Sequence, residues 1–325
     1  AAIWPITHVC GMDIPMRRLS HAVVLLFALV LTTVVCAQEA EPQAPHRRVE
    51  HVLIISIDGL RPDLALRANT PNLRSMLERG SFSLWARTIP ESITLPSHTS
   101  MLTGVWMQDH GVNWNNDGRG PEDRHPPRVP SLFKLAKEAG LTTAIVTGKQ
   151  KFVIFVDEGA IDWEAVSRKE KYLNDQQVAD QGIEFLREHR PNVMFLHFAQ
   201  VDGKGHGIGW GTPEQIEAIE NADKAVGRVM AALDELGLAN STLVILSADH
   251  GGQGRRHGKD DARSRHIPWI AVGPGVRPGF DLTRFDQLQI DTIDTFATAC
   301  YVLGIPLPEH CKGKPITQIF PDKDG

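Results

Sequence analysis

Cysteine is scarce. The 325 residues hold four, and Cys10 and Cys36 fall in an N-terminal stretch that reads as a leader. Only Cys300 and Cys311 remain beyond it, and neither lies near a motif that carries chemistry, so sulfur is assigned no catalytic part. In an oxidising compartment the two are a candidate disulfide; otherwise they are two separate buried thiols. Excess positive charge is also missing. At a formal net charge of −5 the chain has no bulk field for a nucleic-acid polymer, and an anionic substrate would have to be held locally, by metals or a few placed lysines. No apolar run reaches the ~20 residues of a membrane span. Repeats and low-complexity tracts are absent too. What is there, 42% apolar and 22% charged residues, is ordinary globular composition, enough for one large domain or two small ones.

The first residues read as an export signal. Met16-Arg17-Arg18 is a basic start, Ala22 to Val35 is apolar over about 14 residues, and Cys36-Ala37-Gln38 offers a small residue for cleavage after Ala37. Residues 1–15 then lie upstream of a start at Met16, as an over-extended reading frame. Periplasmic or secreted location is the expectation. A retained N-terminal anchor is the alternative, and Cys36 raises a lipoprotein, although Val35 stands where that signal takes a small residue. The expected organisation is a leader over 1–37, a polar linker over 38–50 and a single domain over 51–325.

Beyond the linker, strand and helix patterns alternate. Val52–Ile57 is a continuous apolar run stopped by Asp58-Gly59, the pattern of a strand buried on both faces. Helices are predicted over Pro71–Arg79, over Ser131–Ala139 with a capping serine and a stop at Gly140, over Asp175–His189, and over Pro213–Leu236. In the last, Ile216, Ile219, Val226, Val229, Leu233 and Leu236 recur at steps of three and four. Strands are predicted at Leu141–Val146, Val193–Phe198, Leu243–Leu246 and Trp269–Val272. This alternation implies an α/β fold, a three-layer α/β/α sandwich with a mostly parallel central sheet. In such folds ligands bind beyond the carboxyl ends of the strands.

Three of these strands run into acid: the first at Asp58, the third at Asp202, the fourth at Asp249-His250. One strand-end Asp is usually a turn or cap residue. Three that converge repel one another unless a cation neutralises them. Asp202-Gly203-Lys204-Gly205-His206 reads as a flexible segment that turns an Asp and a His toward one ion. In Asp249-His250-Gly251-Gly252 a Gly-assisted bend brings adjacent ligands to one site. Mixed His and Asp ligation suits zinc, with manganese or iron as alternatives.

The nucleophile candidate is Thr94, in Pro90-Glu91-Ser92-Ile93-Thr94-Leu95-Pro96-Ser97-His98. It is placed just before a helix with Pro96 in the first turn. A plain N-cap is the alternative role. A helix start also favours anions, and a metal-bound hydroxyl is a far better nucleophile than a free one.

In order along the chain, Ile57-Asp58-Gly59, Thr94 to Gly104, Asp109-His110-Gly111-Val112, Asp202 to His206, Asp249-His250-Gly251, and Ile267-Pro268-Trp269 leading to Gly273-Pro274-Gly275 resemble the alkaline phosphatase superfamily. The likeness is greatest to its type I phosphodiesterase/nucleotide pyrophosphatase branch. The resemblance implies an alkaline-phosphatase-like fold and two divalent ions, one held by Asp58, Thr94, Asp249 and His250, the other by Asp202, His206 and a further histidine. His257, in a His-Gly pair, fits that last role, with His266 as competitor. It also implies hydrolysis of a small phosphoester through a phospho-threonine on Thr94. The resemblance places an Asn three residues after the nucleophile as a donor to a phosphate oxygen; here Ser97 stands there. A sulfatase is disfavoured, because Thr94 cannot be converted to the aldehyde hydrate those enzymes use. Lys149 and Lys151 resemble the Lys-x-Lys segment of phosphonoacetate hydrolases and are candidates to meet substrate charge, or are solvated loop lysines. The alternatives are an alkaline phosphomonoesterase or phosphonate hydrolase and, in another class, a non-catalytic metal-bearing binding protein. The segment between Asp109 and Pro130 is expected to be a loop over the site.

Overall fold

Five strands with almost wholly apolar interiors account for the middle of the molecule. In the computed structural model, residues 49–116, 125–258 and 260–321 are described. The expected leader, its Cys10 and Cys36, most of the linker and part of the loop after Asp109 lie outside these residues. Strands β1 (His51–Ile57), β2 (Ser81–Arg87), β3 (Thr143–Thr147), β4 (Trp163–Val166), β5 (Val193–Phe198), β6 (Thr242–Ser247), β7 (His266–Val272) and β8 (Phe280–Asp281) form one sheet in the order β4-β3-β5-β1-β6-β7-β2-β8. β4, β3, β5, β1 and β6 pair in parallel. Beyond them β7 runs antiparallel to β6, and β2 antiparallel to β7. The sheet is therefore mixed, with a five-strand parallel block from the edge strand β4 to β6 and the antiparallel pairings beyond it.

β1, β5 and β6 are buried along nearly their whole length, which is why they read as unbroken apolar runs. Their registers pair Ile57 with Phe198 and Ser56 with Ser247, so all three chains leave the sheet at the same edge. That shared edge is what brings Asp58, Asp202 and Asp249 together. β2 escapes sequence reading because its residues alternate between buried and part-exposed and include Ser81, Ser83 and Arg87. The third strand begins at Thr143 rather than Leu141, since Thr142 and Thr143 are tied at its start to Asn192 and Asp162.

Helices cover the sheet. The long helix Pro213–Glu235, started by Thr212 with Pro213 in its first turn, packs on the helices Asp175–Glu188, Gln200–Ile208 and Pro71–Arg79. The helix Asp294–Leu303 packs on the helix Thr94–Thr103. Ser131 caps Leu132–Glu138 as expected, accepting from the Lys134 amide. Among the described residues no helix is long and apolar enough to cross a membrane. Cys300 and Cys311 are free thiols, which departs from the expected bridge. The Cys311 thiol points to the carbonyls of Gly104 and Gly313, at 3.7 and 3.6 Å.

Candidate metal and phosphoryl-transfer site

Thr94 is the first residue of its helix, not the residue before it, and Pro96 lies in the first turn. The turn that delivers it holds Ser92 at φ 41°, a left-handed conformation costly for a non-glycine residue. The Thr94 hydroxyl is buried and lies 3.3 Å from His250 Nε2. His250 Nε2 is in turn 3.2 Å from Asp249 Oδ2 and 3.5 Å from Asp58 Oδ1. Thus the four residues expected around one ion do converge.

The second group joins residues from opposite ends of the stretch 202–257. His257 Nε2 stands 3.0 Å from His206 Nε2 and 3.7 Å from Asp202 Oδ1, and His206 Nε2 is 3.4 Å from the same oxygen. The competitor His266 is elsewhere, stacked on the exposed Trp85 ring at 3.9 Å. Asp202 to His206 is not the flexible turn read from its glycines. It lies inside the helix Gln200–Ile208, and the two candidate ligands share a face because they are four residues apart. Gly205 is needed for packing: a Cβ there would sit 2.6 Å from the Trp210 ring. Gly251 behind His250 has a similar reason, since a Cβ would lie 2.0 Å from the Arg263 carbonyl oxygen.

Does this donor set fit two divalent ions? Each of the three histidines spends its Nδ1–H on a backbone carbonyl: His206 on Arg255, His250 on Gly251, His257 on Ser92, at 3.1, 2.8 and 2.8 Å. That fixes the tautomer and turns an Nε2 lone pair inward, the arrangement found behind metal-bound imidazoles. Asp58 Oδ1, Asp202 Oδ1 and Asp249 Oδ2 are buried without a hydrogen-bond donor among the described residues. Unpaired buried carboxylate oxygens are costly unless a cation takes them. Two overlapping groups, Asp202-His206-His257 and Asp58-Asp202-His250, have ligand atoms close enough for one ion each. The residues fit.

Electrostatics agree. Burial, then the neighbouring Asp58 charge, pushes the Asp249 carboxyl well above its usual range. Burial would also raise Asp58, but the Lys149 ammonium and the His197 hydrogen bond hold it well below. Burial, and then His257, lowers the His250 imidazole to about 3, leaving it a neutral donor of electrons.

Lys149 sits between the two groups, its Nζ 2.6 Å from both Asp58 Oδ2 and Asp202 Oδ2. Burial opposes its charge, and the carboxylates of Asp58, Asp202 and Asp249 more than restore it. Lys151 goes elsewhere: its ammonium donates to the backbone oxygen and to Oδ1 of Asn115, at 2.8 and 3.0 Å. Asn115 Oδ1 also accepts from the Leu95 amide, one residue past Thr94. The Asn115 amide nitrogen has no partner among the described residues, so it is a spare donor near the start of the Thr94 helix. Ser97 is buried, its hydroxyl without a partner among the described residues. Sequence reading missed Asn115 because 20 residues separate it from Leu95. It also missed His197, whose Nε2 is 2.8 Å from Asp58 Oδ2; the signal was a histidine inside an apolar strand. A third omission is Asp175, at the start of its own helix. Its Oδ1 accepts from the amides of Ala199 and Gln200, at 2.8 and 3.2 Å, and so caps the helix that bears Asp202 and His206.

Residues 52–260 match the family described as type I phosphodiesterase / nucleotide pyrophosphatase. Ectonucleotide pyrophosphatase/phosphodiesterase family member 7 of Mus musculus is 24% identical over 249 residues, covering 72% of this chain and 56% of that protein. The chain thus spans about half the length of the curated relatives it matches. Human ectonucleotide pyrophosphatase/phosphodiesterase 5 superposes with a TM-score of 0.70 at 16% identity, over 84% of this chain and all of that one. The murine counterpart, in an inactive Thr-to-Ala form in complex with AMP, gives 0.69 at 15% identity, with the same coverage. A 2-O GAG sulfatase gives 0.66 at 18%, over 85% of this chain and 75% of its own. These superpositions show a shared fold.

Proposed function

This chain belongs to the type I phosphodiesterase/nucleotide pyrophosphatase family, and from that premise we propose that it is an exported two-metal phosphoric ester hydrolase acting through a phospho-threonine on Thr94. The observation that carries the proposal is the convergence on one buried hydroxyl of unpaired Asp oxygens and histidines whose Nδ1 protons are committed to backbone carbonyls. Asp58, Thr94, Asp249 and His250 would hold one ion, and Asp202, His206 and His257 the other. When bound, divalent ions, zinc first by donor type, supply the charge that lowers the pKa of a ligated hydroxyl and offsets that of a phosphoryl group.

The protein's own part is orientation. The helix start aims the Thr94 oxygen at phosphorus, in line with the departing oxygen. A bond forms from Thr94 Oγ1 to phosphorus as the ester bond breaks, and the alcohol leaves with a proton. Water then attacks the phospho-threonine, restoring the Thr94 hydroxyl and releasing the phosphate product. Asn115 donates its free amide to a phosphoryl oxygen, the part the resemblance assigned to the position now held by Ser97. The Ser97 hydroxyl is a second spare donor, on the helix that begins at Thr94. Lys149 contributes a fixed ammonium, and Lys151 acts through Asn115. The related murine protein whose inactive Thr-to-Ala form was captured with AMP supports a threonine at the centre of the chemistry.

Lys149 also favours a second reading, a phosphomonoesterase or phosphonate hydrolase, because a third cation between the ligand sets suits a doubly charged phosphoryl group. Metal analysis joined to rates on p-nitrophenyl phosphate, bis(p-nitrophenyl) phosphate, a dinucleotide and phosphonoacetate separates the two. Thr94→Ala is expected to retain metal and lose turnover. Substantial activity of purified Thr94→Ala on an aryl phosphate ester would end the nucleophile assignment. Metal-replete wild type inactive on the whole panel would support a non-catalytic binding protein.

A further inference from the structure

Three of the segments that carry candidate ligands have a glycine close to one: Gly59 after Asp58, Gly205 before His206, and Gly252 two residues past His250. All three glycines border a single side chain, the buried indole of Trp210. A Cβ at Gly205 would stand 2.6 Å from Trp210 Cε2, and one at Gly252 would stand 2.4 Å from the same atom. A Cβ at Gly59 would lie 3.2 Å from Trp210 Cζ2. The first two approaches leave no room for a methyl group while the indole is in place.

Local sequence puts the ring there. The helix Gln200–Ile208 ends at Gly209, at φ 112°, and Gly211 follows Trp210 at φ 83°. Two glycines in conformations that other residues avoid turn Trp210 back against its own helix. Hydrogen bonds then tie it. The indole Nε1–H donates to the Gly59 carbonyl at 2.9 Å, and the Trp210 amide donates to the Gly254 carbonyl at 2.7 Å. The Gly59 amide in turn donates to Asp249 Oδ1 at 3.1 Å. The imidazoles of His206 and His257 stand edge-on to the indole, their centroids 5.4 and 6.1 Å away.

We infer that Trp210 is a positioning residue: one indole clamps three ligand-bearing segments in register, and the affinity of the site for its ions depends on it. This rests on the two-ion reading and deepens it. Donors must be held to within about 0.5 Å for a site to keep its geometry. The strand registers end at Ile57, Phe198 and Ser247, short of Asp58, Asp202 and Asp249. Past those ends, a rigid body that touches all three segments sets their spacing. An indole suits the task. It is flat, it keeps water from behind the donors, and it carries one N–H for the one carbonyl it meets. A smaller side chain would let Gly205 and Gly252 close in, and would carry the His206 and His250 imidazoles with them.

The test is a double-mutant cycle read in zinc affinity, with a chelating dye as competitor, on wild type, Trp210→Ala, Gly252→Ala and the double variant. Each single change should weaken zinc binding by about tenfold or more, as when groups behind metal ligands are lost. The double variant should match Trp210→Ala to within about twofold, because the added methyl group fills space that the indole has vacated. Trp210→Phe keeps an aromatic wall and loses the donor to Gly59, so its affinity should fall between wild type and Trp210→Ala. Urea unfolding without metal separates positioning from plain stability. There Phe133→Leu, a core change on the helix Leu132–Glu138, should lower stability and leave zinc affinity within about twofold of wild type. If Trp210→Ala does not fold, Trp210→Leu takes its place in the cycle. Three outcomes overturn the inference: losses that simply multiply in the double variant, a destabilised Trp210→Ala with wild-type zinc affinity, or an equal loss of zinc affinity in Phe133→Leu. Wild type that binds neither zinc nor manganese ends the two-ion reading, and the role of Trp210 with it.

Discussion

Asp175 offers the sharpest quantitative test of how the site is held. The residue is fully buried, accepts two amides of the helix that presents Asp202 and His206, and leaves its Oδ2 without a partner among the described residues. Burial is the main cause that pushes its carboxyl up to about 7 from 3.8. Between those two values the folded protein holds a proton that the unfolded chain has released. Stability from this group is thus complete below the unfolded pKa and is lost as pH rises through about 7. At about 1.4 kcal/mol per pH unit, wild type sheds on the order of 3 kcal/mol from this group between pH 5 and 8. Asp175→Asn keeps the accepting oxygen and cannot ionise, so it should gain on wild type by that amount across the window. Asp175→Ala leaves two buried amides unpaired, at about 1–3 kcal/mol for each. It should be destabilised at pH 5 and should bind metal more weakly, because the start of the ligand helix loses its cap. The assay is urea unfolding in chelator at pH 5 and 8, with zinc affinity measured by competition. A wild-type-minus-Asn difference that does not change with pH would refute the burial argument. Equal zinc affinity for the Ala and Asn variants would refute the capping argument.

Other perturbations separate roles that lie close together. His257→Ala should lose one of the two ions by elemental analysis, whereas His266→Ala, removed from a stack on Trp85, should keep both. Asn115→Ala should lower kcat by about 10²-fold at unchanged metal content if its amide serves the transition state; a change confined to KM would reassign it to ground-state binding. Gly205→Ala meets the Trp210 ring and should cost about 1–3 kcal/mol in unfolding free energy. At Gly203, where a Cβ has open space, the same change should stabilise the helix by about 0.5–1 kcal/mol.

Much of the architecture was legible because its cause is local. An apolar run stopped by an acid marks a buried strand at the ligand edge, and Asp58, Asp202 and Asp249 were found that way. Thr94 followed from a helix start, and its company from motifs in a fixed order. Local reasoning misled where glycine was taken for flexibility: Asp202 to His206 is helical, because burial of Val201 and Gly205 against the fold outweighs glycine's weak helix propensity. Other assignments had little or no local signal, only the His-Gly pair having favoured His257. His257 rather than His266 stands with His206, Lys149 lies between a carboxylate at the end of β1 and one on the helix Gln200–Ile208 while Lys151 props Asn115, and Asp175 caps a helix 24 residues away. Each depends on where a loop or a neighbouring helix lands after the sheet has formed. The sequence by itself determined which chemistry the chain can support, since residue types and strand ends are written along it. Only the tertiary structure decided which histidine joins His206, which lysine lies between the carboxylates and which side-chain amide stands at the start of the Thr94 helix, because those contacts exist only between elements distant in the chain.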